Sequence, residues 1–338
     1  RPMPPTPDNS PPTIHHDWLS DRDVFIAPRR ADRPNDLADE AAGPCPFCAG
    51  NEELTAPDLL RWPQPAAGSW KTRIVPNRYP VVEPIKSSAT DSQETTDGPP
   101  AITAAHGLHE VVIESPEHVT SVLDVPPDDW HQVWKLCQRR LGQLAAAGEF
   151  CWATIFKNGG VAAGASLEHL HSQLIAIDRV PPTIVAKCRQ LTEKLGLFSE
   201  LLGDAAASDR IVSCRSGITA LVPPAPRQPF EVWLVPDTPA AFFHRASEAE
   251  VAAVAKLTQC FARALERLIP GGSYNWWLHQ FPDAASVATR PLAEHWHWHV
   301  EIMPRLAPLA GFELGTGCHI STIAPAAAAR LLRETGCW

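Results

Sequence analysis

Residues 158–173 read NGGVAAGASLEHLHSQ, a glycine-rich lead that runs into His169, His171 and Gln173 at every second position. Alternate residues of a strand project to the same side. The spacing therefore predicts three polar, ligand-capable side chains on one surface, with Leu170 packed behind them. The glycines ahead of them let backbone approach a phosphate closely. Upstream lie a strand-like HEVVIESPEH (109–118), a helix opening at PPDDW and a strand-like FCWATIFKN (150–158). The helix places Trp130, Val133, Trp134, Cys137, Leu141 and Leu144 on one face, and Asp128 and Asp129 at its N-terminus suit the helix dipole. The same order then returns. FEVWLVPD (230–237) is followed by a helix from about Ser247 carrying Val251, Val254, Leu257, Phe261, Leu265 and Leu268 on one face, then YNWWLHQF (274–281) and EHWHWHVEIMP (294–304). Strand, helix, strand and histidine-alternating strand thus occur twice, which marks an internal duplication. Each copy reads as an antiparallel sheet with a helix laid on it, an α+β unit.

The flanking sequence bounds the chemistry. The 338 residues carry a net charge of −9, which argues against a nucleic-acid partner; a small anionic ligand needs only a local site of backbone N–H groups or histidines. No apolar run is long enough to span a membrane and no charged-then-apolar leader opens the chain, so a cytoplasmic protein is expected. A chain of this length buries its own core without disulfides. In a reducing compartment the close pair of its nine cysteines, Cys45 and Cys48 in CPFC, reads as half of a metal site. The twelve tryptophans serve either the core or a nucleotide pocket. Residues 1–13, with six prolines, read as a disordered tail, and the polar 87–100 as an insertion loop.

The second histidine cluster leaves more than one reading open. His295, His297 and His299 alternate as the first set does, and could form a second metal site, a wall facing a nucleotide or a relic of duplication. The plain alternative for either set is a group of histidines satisfied by ordinary hydrogen bonds.

Taken together, CPFCAGNE, WKTRIVPNRYP, HEVVIESPEH, NGGVAAGASLEHLHSQ and GFELGTGCHI resemble the galactose-1-phosphate uridylyltransferase (GalT) branch of the histidine-triad (HIT) superfamily from about residue 40 to the C-terminus. The resemblance implies two HIT-like halves, 14–180 and 210–338, joined by linker helices over 181–209. It also implies a ping-pong nucleotidyltransferase of carbohydrate (galactose) metabolism, most simply a UDP-glucose:hexose-1-phosphate uridylyltransferase, with a homodimer compatible. Residue by residue, it puts a structural zinc on Cys45, Cys48, His118 and His169, and His118 comes from the resemblance alone. His171 becomes the nucleophile that carries the nucleoside monophosphate, and Gln173 the holder of its phosphate oxygens. Asn158, Gly164 and Ser166 match phosphate contacts, and Asn77 a base and ribose contact. His279, His297 and His299 match three histidines of a second metal site, for iron or zinc, whose glutamate has no clear counterpart in the linker. The second half also spells the histidine triad literally, which makes His297 the rival nucleophile. The glycines favour His171.

Two departures bear on the substrate. The family motif has proline between its two histidines where Leu170 stands, and its hexose-binding Tyr and Glu are replaced by Thr316 and Gly317. The GFELGTG stretch resembles plant members that act on adenylyl compounds, so two further readings stand beside the first. One is an adenylyltransferase or phosphorylase for an ADP-sugar, adenylyl sulfate or a dinucleoside polyphosphate. The other is a non-catalytic, zinc-stabilised nucleotide-binding protein. The partners implied are a nucleotide-sugar or other nucleotide diphosphate and a phosphate-bearing acceptor.

Overall fold

A computed structural model describes residues 10–17, 22–32, 43–63, 69–84, 102–283 and 290–338. Most of residues 1–13 and all of 87–100 lie outside them. The expected tail nevertheless ends early: Pro12 is buried, its carbonyl accepts from Ala105 N–H, and a strand already begins at Thr13. In chain order the strands are β1 (Thr13–Asp17), β2 (Arg22–Ile26), β3 (Leu60–Trp62), β4 (Thr72–Pro76), β5 (Ile102–Ala104), β6 (Gly107–Ile113), β7 (Trp152–Gly159), β8 (His171–Ile177), β9 (Ile211–Arg215), β10 (Ile218–Leu221), β11 (Val232–Pro236), β12 (Tyr274–His279) and β13 (His299–Pro304). The helices are α1 (Pro127–Ala147), α2 (Pro182–Glu193), α3 (Leu197–Ala207), α4 (Glu248–Leu268), α5 (Arg290–Ala293), α6 (Gly311–Thr316) and α7 (Pro325–Glu334).

The duplication is written into one ten-stranded sheet of order β3-β4-β6-β8-β7-β12-β13-β11-β10-β9, while β2-β1-β5 form a small separate sheet. Read outward from the central β7–β12 pair, the two sets of five strands mirror each other, and every ladder is antiparallel. The helices of the repeat, α1 and α4, lie on one face. Their predicted apolar stripes are buried except Leu268, which is half-buried. Both enter one core that crosses the join, where Trp134 stacks on Trp276 at 4.9 Å and Trp130 Nε1 donates to Thr258 Oγ1 at 3.0 Å. A reciprocal capping box between Ser247 and Glu250 sets the start of α4.

On β8, Leu174 and Ala176 face that core, so alternation turns His171 and Gln173 to the opposite side. On β13, Val300 and Ile302 face the core and His299 and Glu301 turn away. His171 therefore corresponds to His299, the first residue of the equivalent strand. No helix among the described residues is long and apolar enough to cross a membrane.

Candidate active site and metal centre

His169 sits just before β8 rather than in it, so the expected three-residue alternation along one strand holds only for His171 and Gln173. The chain bends at Leu170, whose N–H donates to Val119 O (2.8 Å). The bend carries His169 sideways to the loop of Cys45 and Cys48. His169 Nδ1 lies 3.5 Å from Cys45 Sγ and 3.6 Å from Cys48 Sγ, and His118 Nδ1 lies 3.6 Å from Cys48 Sγ. All four ligand atoms fall within 4.8 Å of one another. A tetrahedral ion with sulfur at about 2.3 Å and nitrogen at about 2.0–2.1 Å holds them about 3.6 Å apart, so the set fits a metal. His169 Nε2 donates to Ser115 O (2.9 Å), which fixes its proton there and leaves the Nδ1 lone pair facing the thiols. Burial brings the His169 pKa down to about 4, so the ring stays neutral as a ligand must.

His171 lies between two cavities. One, of about 490 Å³, is lined by Phe47, Val75, Asn77, Ser166, Leu167, His171 and Gln173 among others; the second, of about 170 Å³, by Lys157, Asn158, Gly160, Leu167, His169 and His171 among others. His171 and Leu167 belong to both walls. No tryptophan among the described residues lines either one; Trp130, Trp134, Trp276 and Trp298 are core. His171 Nδ1 donates to its own chain's His169 O (2.8 Å), which puts the ring lone pair on Nε2. Val81 N–H donates to His109 Nδ1 (3.2 Å), so His109 carries its proton on Nε2 and donates it to Gln173 Oε1 (2.9 Å). The Gln173 amide NH2 is thereby oriented as a donor toward the cavity. His109 was not singled out from the sequence, although it faces Gln173's side from the neighbouring strand in HEVVIESPEH.

The remaining sequence candidates fall around these cavities. Ser166 Oγ is buried without a hydrogen-bond partner among the described residues, a hydroxyl available to a ligand. Asn158 Oδ1 accepts from Asn275 Nδ2 (2.9 Å), which also donates to Ala163 O and so holds the glycine loop. Gly160 has φ +88°, and a Cβ there would come within 2.4 Å of Ser273 Oγ. Asn77 Oδ1 accepts from Tyr79 N–H (2.8 Å) in a turn at the rim of the larger cavity.

Behind His171 lies an ion pair absent from the sequence expectations. Lys157 on β7 donates to Glu114 and, at 2.9 Å, to the backbone oxygen of His171; Ser172 Oγ donates to the other Glu114 oxygen. Lys157 and Glu114 are each 1% exposed, and burial pulls the Lys157 pKa below the ordinary amine value. Removing one partner of such a pair leaves an uncompensated buried charge, at a cost of about 3–5 kcal/mol. Lys157→Met should destabilise by that amount and lower kcat more than it raises KM, because it releases the backbone that carries the His171 ring. Adding Glu114→Gln should restore part of the stability and little of the kcat; urea unfolding and steady-state kinetics on the two variants check this.

The second-half histidines assort differently from expectation. His279, across the β12–β13 ladder from His299, does join it, and Glu301 completes a group of three ligand-type side chains. His297 does not. It precedes β13, its Nδ1 donates to Pro236 O (2.7 Å) and its ring stacks on Phe198 of α3 at 5.1 Å, because the chain bends here as it does at His169. His295 lies in a half-buried turn. Glu301 was missed, although its position two residues beyond His299 is the signal that finds it.

The chain with this duplicated antiparallel sheet and this histidine between two cavities has nucleotidyltransferases among its curated relatives. The chain belongs to the family described as Domain of unknown function (DUF4921), whose model matches residues 80–334. It is 29% identical over 337 residues to an ADP-glucose phosphorylase of Arabidopsis thaliana, covering 97% of this chain and 94% of that one. A galactose-1-phosphate uridylyltransferase of Thermotoga maritima is 25% identical over 339 residues, covering 95% and 98%. The crystal structure of an ADP-glucose phosphorylase from Arabidopsis thaliana with bound ADP-glucose superposes with a TM-score of 0.75, covering 96% and 99%.

Proposed function

We propose that the chain moves a nucleoside monophosphate from a nucleotide-sugar to a phosphate-bearing acceptor through His171, with an ADP-sugar as the favoured donor. The observation that carries this reading is the place of His171, in the wall between a nucleoside-sized cavity and a smaller glycine-lined one. Nε2 attacks the α-phosphorus; the N–P bond forms as the P–O bond to the sugar phosphate breaks, and the sugar phosphate leaves. An acceptor oxygen then attacks the same phosphorus and releases the imidazole. Charge growing on the non-bridging oxygens meets the Gln173 amide, the Ser166 hydroxyl and the glycine-loop amides, and preorganised donors of this kind contribute about 3–4 kcal/mol each. Cys45, Cys48, His118 and His169 would hold a zinc ion, which supplies structure and not catalysis since all four positions are protein ligands.

Support for the adenylyl donor comes from the plant ADP-glucose phosphorylase, the nearer in identity of the two relatives described. The C-terminal segment adds to it. Thr316 Oγ1 donates to Phe312 O (2.7 Å), Gly317 closes α6 with φ +70°, and Glu313 caps Ala310 N–H (3.1 Å). These groups serve their own short helix, and positions 316 and 317 offer no carboxylate to a sugar. A second reading, hexose-1-phosphate uridylyltransferase, draws on the Thermotoga relative, which aligns over nearly its full length.

Incubation with ADP-glucose, UDP-glucose or adenylyl sulfate followed by intact mass separates the two. The expected adduct is adenylyl, formed from ADP-glucose; a uridylyl adduct with none from ADP-glucose would select the second reading. On the nucleotidylated enzyme, kcat/KM for galactose 1-phosphate should fall below that for inorganic phosphate by about one to three orders of magnitude, the consequence of two sugar hydroxyls left without partners.

A further inference from the structure

The second half of the sheet holds the counterpart of the His171 site, and its centre is already filled by a side chain. His299 Nδ1 donates to His297 O (2.8 Å), the same arrangement by which His171 Nδ1 donates to His169 O (2.8 Å). Its lone pair is therefore on Nε2, and Nε2 meets Lys187. Lys187 reaches in from α2, which lies over this face, and sets Nζ 2.6 Å from His299 Nε2, 2.8 Å from His279 Nδ1 and 2.5 Å from Glu301 Oε1. An ammonium has three N–H donors and no acceptor, and here three acceptors surround it. The other Glu301 oxygen accepts from Arg227 (2.5 Å), which also pairs with the fully buried Glu231.

A metal ion does not fit this cluster as it stands. Its ligands would have to lie at about 2.0–2.2 Å, around the point that Nζ now occupies. Lys187 and Arg227 already balance Glu231 and Glu301, so a dication would add unpaired charge beside two fixed cations, which is costly away from water. We propose that the Lys187 ammonium stands in for a metal ion here, so that among the described residues metal is taken only at Cys45, Cys48, His118 and His169, and that the identity of residue 187 decides it. The lysine does structurally what an ion would, drawing β12, β13 and the segment between the halves onto one point.

The experiment is metal stoichiometry. Wild type, Lys187→Glu and Lys187→Ala are stripped with chelator, reloaded with cobalt(II), passed through a desalting column and assayed for cobalt per chain and by absorption. Cobalt on the cysteine centre shows thiolate charge transfer; cobalt on histidine and carboxylate does not. Each lysine variant should retain one equivalent more than wild type, without extra charge-transfer absorption, and His279→Ala in the Lys187→Glu background should remove it. The wild-type value tests the cysteine centre separately, because the proposal is read in the difference. Wild type that binds a second, His279-dependent equivalent would overturn it, whether or not the variants fold. So would folded Lys187→Glu and Lys187→Ala chains that bind nothing extra.

Discussion

His171→Gly should abolish nucleotide capture and depress turnover by about four orders of magnitude or more, the scale on which removal of a covalent nucleophile acts. His171 lines both cavities and is 8% exposed, and its side chain projects away from the main core, so its loss should leave the fold intact. The control is His297→Gly. His297 lines neither cavity, being tied to Pro236 O and stacked on Phe198, so that variant should still form the adduct if it folds. Intact mass after incubation with donor, together with circular dichroism, checks both. An adduct that survives His171→Gly and disappears in folded His297→Gly would move the reaction to the other half of the sheet.

Cys48→Ser, or stripping the metal from the wild-type chain, should cost at least about 5 kcal/mol and lower Tm by about 10 °C. The reason lies in what else holds the cysteine loop. Backbone bonds such as Ala49 N–H to Pro116 O (2.8 Å) and a small cluster of Phe47, Trp70, Val75, Val111 and Ile113 are its main attachments, and the large core lies on the other side of the sheet. Phe47 sits between Cys45 and Cys48, with its ring 5.8 Å from His169 and 5.3 Å from His171. Freeing the loop therefore also loosens the wall of the larger cavity, and donor KM should rise along with the loss of stability. Melting curves with and without chelator and elemental analysis make the test; a metal-free chain with unchanged Tm would show that these four side chains are not a structural centre.

The two centres of this protein differ although their strands are copies. On β8 the first residue is a histidine beside open cavities; on β13 it is a histidine whose lone pair faces a lysine. Duplication produced two equivalent places, and the helices between the halves cover only the second: Phe198 and Lys187 both come from that segment. The first place thus stays open to two cavities, while the second is closed by Lys187.

Read by itself, the amino-acid order determined the repeat, the apolar faces of α1 and α4, the partnership of Cys45 and Cys48 and the pairing of His171 with Gln173. These rest on periodicity and short spacing, which are local and survive without knowledge of where distant segments lie. Only the tertiary structure decided that the chain bends at Leu170 and takes His169 out of the strand, and that His297 turns to Pro236. It alone brought Lys157 against Glu114, His109 against Gln173 and Lys187 against His299, pairs separated by 43, 64 and 112 residues. The physical reason is that periodicity assigns a side chain to a face, whereas its partner depends on backbone bends and on which strand or helix packs alongside. Neither has a signature within a few residues.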